Sequence, residues 1–119
     1  MPRAILSGKH GWTRGSYEEA IAGVELVEAN GVKKLHFKYE DSGRVDAESQ
    51  DGFLFAGSYR QGSDRGRVEF DLYRSETGRH LFFGRGRSEL DGEYYTWWLR
   101  LIPSTELSPQ SELGVKEGP

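Results

Sequence analysis

The chain has 119 residues, of which 35% are hydrophobic, 29% charged and 13% aromatic, with a formal net charge of −3 and no cysteine. That length allows one domain with one core; the acidity weighs against a general polyanion binder, and the lack of thiols removes disulfides and zinc–thiolate sites. A mean hydropathy of −0.71 points towards disorder, but three Trp, six Tyr and six Phe supply an aromatic core.

Met1 to Ser7 holds only Ala4-Ile5-Leu6 as an apolar run, too short for a signal peptide. No stretch approaches the ~20 apolar residues of a membrane span. The expectation is a cytoplasmic, soluble chain with no membrane partner. A first strand is expected around Gly11–Tyr17. The segment 17–29 admits two readings. Ser16 and Glu19 make a formal capping box, and Ala20, Ile21, Val24 and Val27 fit a helical stripe. Against a helix stand Gly23 and the Asn30-Gly31 hairpin signal, which makes Val24–Glu28 a strand and brings Glu28 near Lys33.

Leu35, Phe37 and Tyr39 then alternate with polar residues, the period of a half-buried strand. A polar strand from Arg44 to Ser49 follows, then an Asp51-Gly52 turn and a strand with Phe53, Phe55, Gly57 and Tyr59 on one face. Beyond a loop from Gln61 to Gly66, Val68, Phe70 and Leu72 alternate with charged neighbours, and Leu81–Arg87 and Glu93–Ile102 complete the series. Strands in succession with short turns make an antiparallel meander, and closing it removes unpaired edges. The fold class expected is all-β: a small up-and-down barrel of about eight strands, residues 1–102, with a flexible tail, 103–119.

Trp12, Gly15 and Tyr17 near the start, the meander, and Arg100 close to Trp97 and Trp98 at the end resemble the calycin group of barrels: lipocalins, fatty-acid-binding proteins and avidins. The Gly11-Trp12 order lacks the spacer those families have, and no single family is matched. The resemblance implies a ligand-binding barrel in which Trp12 and Arg100 form a barrel plug.

Three segments offer chemistry. Phe83, Arg85 and Arg87 share one face of their strand, with Gly84 and Gly86 on the other. Turned inward, Arg85 and Arg87 make a guanidinium fork for a carboxylate or phosphate; turned outward, they pair with Glu69 or Asp71. Eleven Arg stand against five Lys, a bias that suits such recognition. The strand Glu93–Ile102 is apolar on both faces. Tyr95, Trp97, Leu99 and Leu101 inward put Tyr95 and Trp97 in the cavity, and leave Tyr94 and Trp98 for an interface: a homodimer, intramolecular cover, or a partner-binding surface. The plug reading of Arg100 needs the opposite phase or a bulge. Asp46 and Glu48 share a polar face, read as solvated. His10, His36 and His80 lack metal-pair spacing and are read as surface residues; no metal, cofactor or nucleic-acid partner is expected.

The leading expectation is a non-enzymatic barrel binding a small amphipathic, aromatic or anionic ligand, or a protein partner, through Tyr59, Arg85, Arg87, Tyr95 and Trp97. The alternatives are a small cyclase- or isomerase-type enzyme and a regulatory module docking through its last strand.

Overall fold

The computed structural model describes residues 3–12, 17–40 and 42–104, with the backbone but not the side chain of Tyr17. Eight strands follow one another: β1 (Arg3–Trp12), β2 (Tyr17–Ala29), β3 (Val32–Tyr39), β4 (Gly43–Ser49), β5 (Leu54–Gln61), β6 (Asp64–Arg74), β7 (His80–Ser88) and β8 (Tyr94–Pro103). Each pairs antiparallel with the next, and β8 pairs with β1, so the barrel is closed with no free edge. The all-β meander expected from the alternation is the observed fold, and it is compatible with a calycin-like barrel. Among the described residues there is no helix, and so none long and apolar enough to cross a membrane.

The first strand is not centred on Gly11–Tyr17 as expected. It runs from Arg3 to Trp12, and the short apolar run Ala4-Ile5-Leu6 is its body, with Leu6 fully buried. Residues 13–16, with the Ser16 half of the capping box, lie outside the described residues.

The helix reading of 17–29 is corrected, for an instructive reason. Leu6 pairs with Val24 but Gly8 pairs with Ile21, so β2 carries one extra residue opposite β1. Gly23 supplies the left-handed backbone that the bulge needs, at φ 69°. A bulge moves the inward phase by one residue. Ile21 and Val24 are therefore both buried at a spacing of three, which in the sequence imitates a helical stripe.

The hairpin beyond it is as expected: Asn30 and Gly31 take φ 55° and 80°, and Glu28 faces Lys33 across the turn. The expected loop Gln61–Gly66 is tighter than that. Gln61 pairs with Asp64, leaving a two-residue turn with Gly62 at φ 60°. Phe53 precedes β5 and is 65% exposed rather than continuing its buried face.

Inside, Phe37, Phe55, Phe70, Phe82 and Leu99 are without solvent exposure and fill the middle and base of the barrel. Glycine lets the wall curve around them. A Cβ at Gly84 would stand 1.7 Å from the Glu69 carbonyl oxygen, and one at Gly57 2.0 Å from that of Asp46. Neighbouring strands approach there more closely than any side chain permits. At the base, Asp51 caps the β4–β5 turn by accepting from the amides of Phe53 and Leu54 at 2.8 and 3.0 Å. These hydrogen bonds, with one from the Ser49 hydroxyl, hold its carboxyl below the usual range. At the same end, Ser104 leaves β8 bonded to the Ile5 carbonyl; the expected tail lies outside the described residues from 105 onward.

Candidate functional site

At the end opposite the base, β1, β3, β5 and β8 turn aromatic side chains inward: Trp12, Tyr39, Tyr59, Tyr95 and Trp97. They surround an open cavity of about 320 Å³. Trp97 is the hub. Its ring lies 5.1 Å from Tyr39, 5.8 Å from Trp12 and 5.8 Å from Tyr59, each edge-to-face, and 6.3 Å from Tyr95. Edge-to-face pairs of this kind contribute roughly 0.5–1.5 kcal/mol each beyond their buried area.

One carboxylate stands within this ring. Asp64, the first residue of β6, accepts from the Tyr59 hydroxyl at 3.2 Å and from the Ser88 hydroxyl at 2.9 Å. Ser88 also organises the loop that rises over the cavity: its hydroxyl accepts from the Leu90 amide, and its carbonyl from the Gly92 amide. That loop carries Leu90 and Asp91 to the rim. Burial pushes the Tyr39, Tyr59 and Tyr95 phenols above their ordinary range, and nearby Asp64 adds to it. All three stay protonated donors at neutral pH. Among the described lining residues there is no lysine or arginine.

His10 lies behind the hub and is fully buried, against the expectation of a surface residue. The Trp97 indole donates to its Nδ1 at 3.2 Å. Because an indole N–H only donates, Nδ1 is the unprotonated nitrogen and Nε2 carries the hydrogen. Nε2 stands 3.4 Å from the Glu19 carboxylate, long for a hydrogen bond. Burial lowers the pKa of His10, opposed by Glu19. His80 is also buried, at the base, its Nδ1 3.0 Å from the Gly78 carbonyl. Only His36 sits outside, 2.6 Å from Asp46 on the solvated face that carries Glu48. The described residues hold no His/Cys/Asp/Glu group fit for a metal.

Of the residues singled out in the sequence, the structure brings Tyr59, Tyr95 and Trp97 together at the mouth, with Trp12 beside them. Arg85 and Arg87 are not there. Phe82, Gly84 and Gly86 take the inner positions of β7, so both guanidinium groups project outward. There Arg85 reaches Glu69 at 3.5 Å, and the Arg85 and Arg87 guanidinium groups each lie 5.2 Å from the Tyr94 ring. Arg87 also donates to the Gly92 carbonyl at 3.2 Å, bracing the rim loop from outside. Arg100 does not plug the barrel over Trp12. The β8 register runs without a bulge, Trp97 and Leu99 hold the inner face, and Arg100 lies outside, 2.7 Å from Glu18 and 5.1 Å from the Trp98 ring. Tyr94 and Trp98 are on the outer face, covered in part by these cations.

Sequence reasoning missed Tyr39, Asp64, Ser88 and His10. Tyr39 was within reach, since it ends the alternation that begins at Leu35. Asp64 was hidden by its assignment to a loop. No protein-family model matches the chain, and no curated protein or solved structure matches it either.

Proposed function

We propose that this is a non-enzymatic binding barrel whose mouth holds a small aromatic or amphipathic organic cation. One observation carries the reading: five aromatic rings converge on a cavity whose inner charged group is Asp64 and whose described lining contains no cation. Ring faces attract ammonium groups by roughly 0.5–2 kcal/mol each, and the carboxylate, held by Tyr59 and Ser88, supplies the counter-charge. The volume stands at the lower end of the ~300–1,000 Å³ of small-molecule sites. Binding within the barrel is what the calycin resemblance implies; the contact here is with rings rather than guanidinium groups. An anionic ligand loses its support, because Arg85 and Arg87 face solvent. The expected homodimer remains a proposal on the outer face of β8, through Tyr94 and Trp98; a monomeric mass in solution ends it.

The test is a tryptophan-fluorescence titration with benzyltrimethylammonium, benzyl alcohol and benzoate. The cation is expected to bind saturably, at least tenfold tighter than benzoate, with the neutral alcohol between them. No saturable response to any of the three, or benzoate binding best, overturns the reading.

A cyclase- or isomerase-type enzyme is a second reading with an observation of its own. The Tyr59 hydroxyl donates to the Asp64 carboxylate at 3.2 Å, and the Tyr95 ring stands 6.3 Å from that of Tyr59, so a phenol and a carboxylate that can pass a proton face the cavity together. That reading expects a bound ligand to be recovered altered, and the binding reading expects it recovered unchanged.

A further inference from the structure

A larger depression, of about 650 Å³, lies on the outer wall near the base, across β1, β8, β7 and the end of β6. Cross-strand register sets Lys9, Arg100, Leu81 and Tyr73 side by side in one row, with Ser7 and Ile102 in the next. The floor is apolar: Tyr73 is 58% and Ile102 51% exposed, and Leu81 lies between them. The rim is cationic. Lys9, Arg74, Arg79 and Arg100 line the groove, and no carboxylate residue does. Arg100 is already matched by Glu18. Lys9, Arg74 and Arg79 have no carboxylate partner among the described residues.

An exposed apolar floor alone would receive any oily surface. Three unmatched cations around it select among them, since an ammonium or a second basic patch is repelled and an anion is drawn in. Arg74 and Arg79 flank the turn between β6 and β7, and guanidinium groups suit two-point contact with a carboxylate. From Lys9 to Tyr73 the row crosses three strand gaps, about 14 Å, the length of an extended alkyl chain of about ten carbons. We propose that this groove binds an amphipathic carboxylate, its alkyl chain lying across Ile102, Leu81 and Tyr73 and its head group set between Arg74 and Arg79. The site is separate from the mouth and does not rest on it.

Titration calorimetry of the full chain with decanoate and with decyltrimethylammonium, below their micelle concentrations, tests this. Decanoate is expected to bind one to one, and decyltrimethylammonium at least tenfold more weakly. An Arg74→Gln/Arg79→Gln double variant should lose at least tenfold in decanoate affinity, and Ile102→Asp should abolish it. All three substitutions replace exposed side chains, and an unchanged thermal melt certifies the barrel. Saturating the mouth with benzyltrimethylammonium should leave decanoate binding as it was. Equal affinity for the two amphiphiles, full affinity in the double variant, or competition by benzyltrimethylammonium overturns the proposal. So does a ligand-free dimer that Ile102→Asp dissociates, which gives the groove to a second copy of the chain.

Discussion

The mouth and the outer groove share strands β1, β6, β7 and β8, yet they are opposite in character. Trp97 and Trp98 are neighbours on β8, and alternation sends one to each face. Inside, Trp97 is covered by other rings and by His10, and the charge among them is the Asp64 carboxylate. Outside, Trp98 and Tyr94 are covered by guanidinium groups, and further along the same wall the unmatched charges are Lys9, Arg74 and Arg79. The aromatic surplus of β8 is thus handled by two kinds of physics: ring packing where water is excluded, and cation stacking where it is not. The difference teaches that a site's ligand sign follows from which face of a strand a charge occupies, more than from how many charges the strand carries.

The hardest way to break this comparison is to truncate the two tryptophans. Trp97→Ala removes a fully buried hub, and is expected to cost about 3–5 kcal/mol in urea denaturation. Trp98→Ala should cost well under half of that, because the outer ring exchanges guanidinium contact for water. Equal losses would mean that the outer wall is as packed as the inner one. Glycines come next. Gly84→Ala places a methyl group against the Glu69 carbonyl and is expected to cost about 1–3 kcal/mol. Gly23→Ala meets no atom within 4 Å and carries only the strain of its φ of 69°, about 1 kcal/mol. Melting curves that rank Gly23→Ala above Gly84→Ala would show that wall curvature is not set by close strand approach.

The mouth answers to charge. Asp64→Asn keeps an acceptor for Tyr59 and Ser88 but removes the counter-ion, and a loss of about tenfold in benzyltrimethylammonium affinity is expected, roughly 1.4 kcal/mol. Unchanged affinity for the cation would leave the rings as a neutral aromatic site.

What the sequence made legible was periodic. Alternation over Leu35–Tyr39 and Val68–Leu72 and the Asn30-Gly31 turn led to the barrel, because side-chain period and positive φ are local properties. Where a bulge broke the period, at Ala22-Gly23, the reading divided between helix and strand. The site was less legible, since it is assembled at the ends of six strands and depends on which face each strand turns inward. Arg85 and Arg87 show the difficulty: the spacing put them on one face, but only the burial of Phe82 and the closeness of Gly84 to β6 decide which. His10 gave no signal, because its burial is created by Trp97, 87 positions away.

The buried histidines make the stability of the inner face pH-dependent. His10 and His80 both have pKa values lowered from 6.5 by burial; Glu19 and Glu40 act against this at His10, while at His80 the Gly78 carbonyl opposes it and Arg74 and Lys33 add to it. The unfolded chain therefore takes up protons first as pH falls through about 6.5, and stability declines below that point. Above it, the histidines contribute no pH dependence. Denaturation midpoints measured from pH 7.5 to 5.5 should fall, and His10→Gln, which keeps an acceptor for the Trp97 indole, should flatten the decline. A midpoint that rises on acidification would mean that Glu19 dominates over burial.

The smallest expected effect separates two residues that look equivalent. Arg85 and Arg87 stack on Tyr94 at the same distance, and both are solvent-exposed. Removing either from an exposed wall should change stability by no more than about 1 kcal/mol. They differ in reach, because only Arg87 bonds the Gly92 carbonyl, in the loop that brings Leu90 and Asp91 over the mouth. Arg87→Ala should loosen that rim and weaken benzyltrimethylammonium binding by a few-fold, while Arg85→Ala leaves it unchanged. If both variants weaken it equally, the outer charge acts on the mouth through its field. If only Arg87→Ala does, the two faces are joined by a single hydrogen bond, and the outer wall positions the inner site while taking no part in its chemistry.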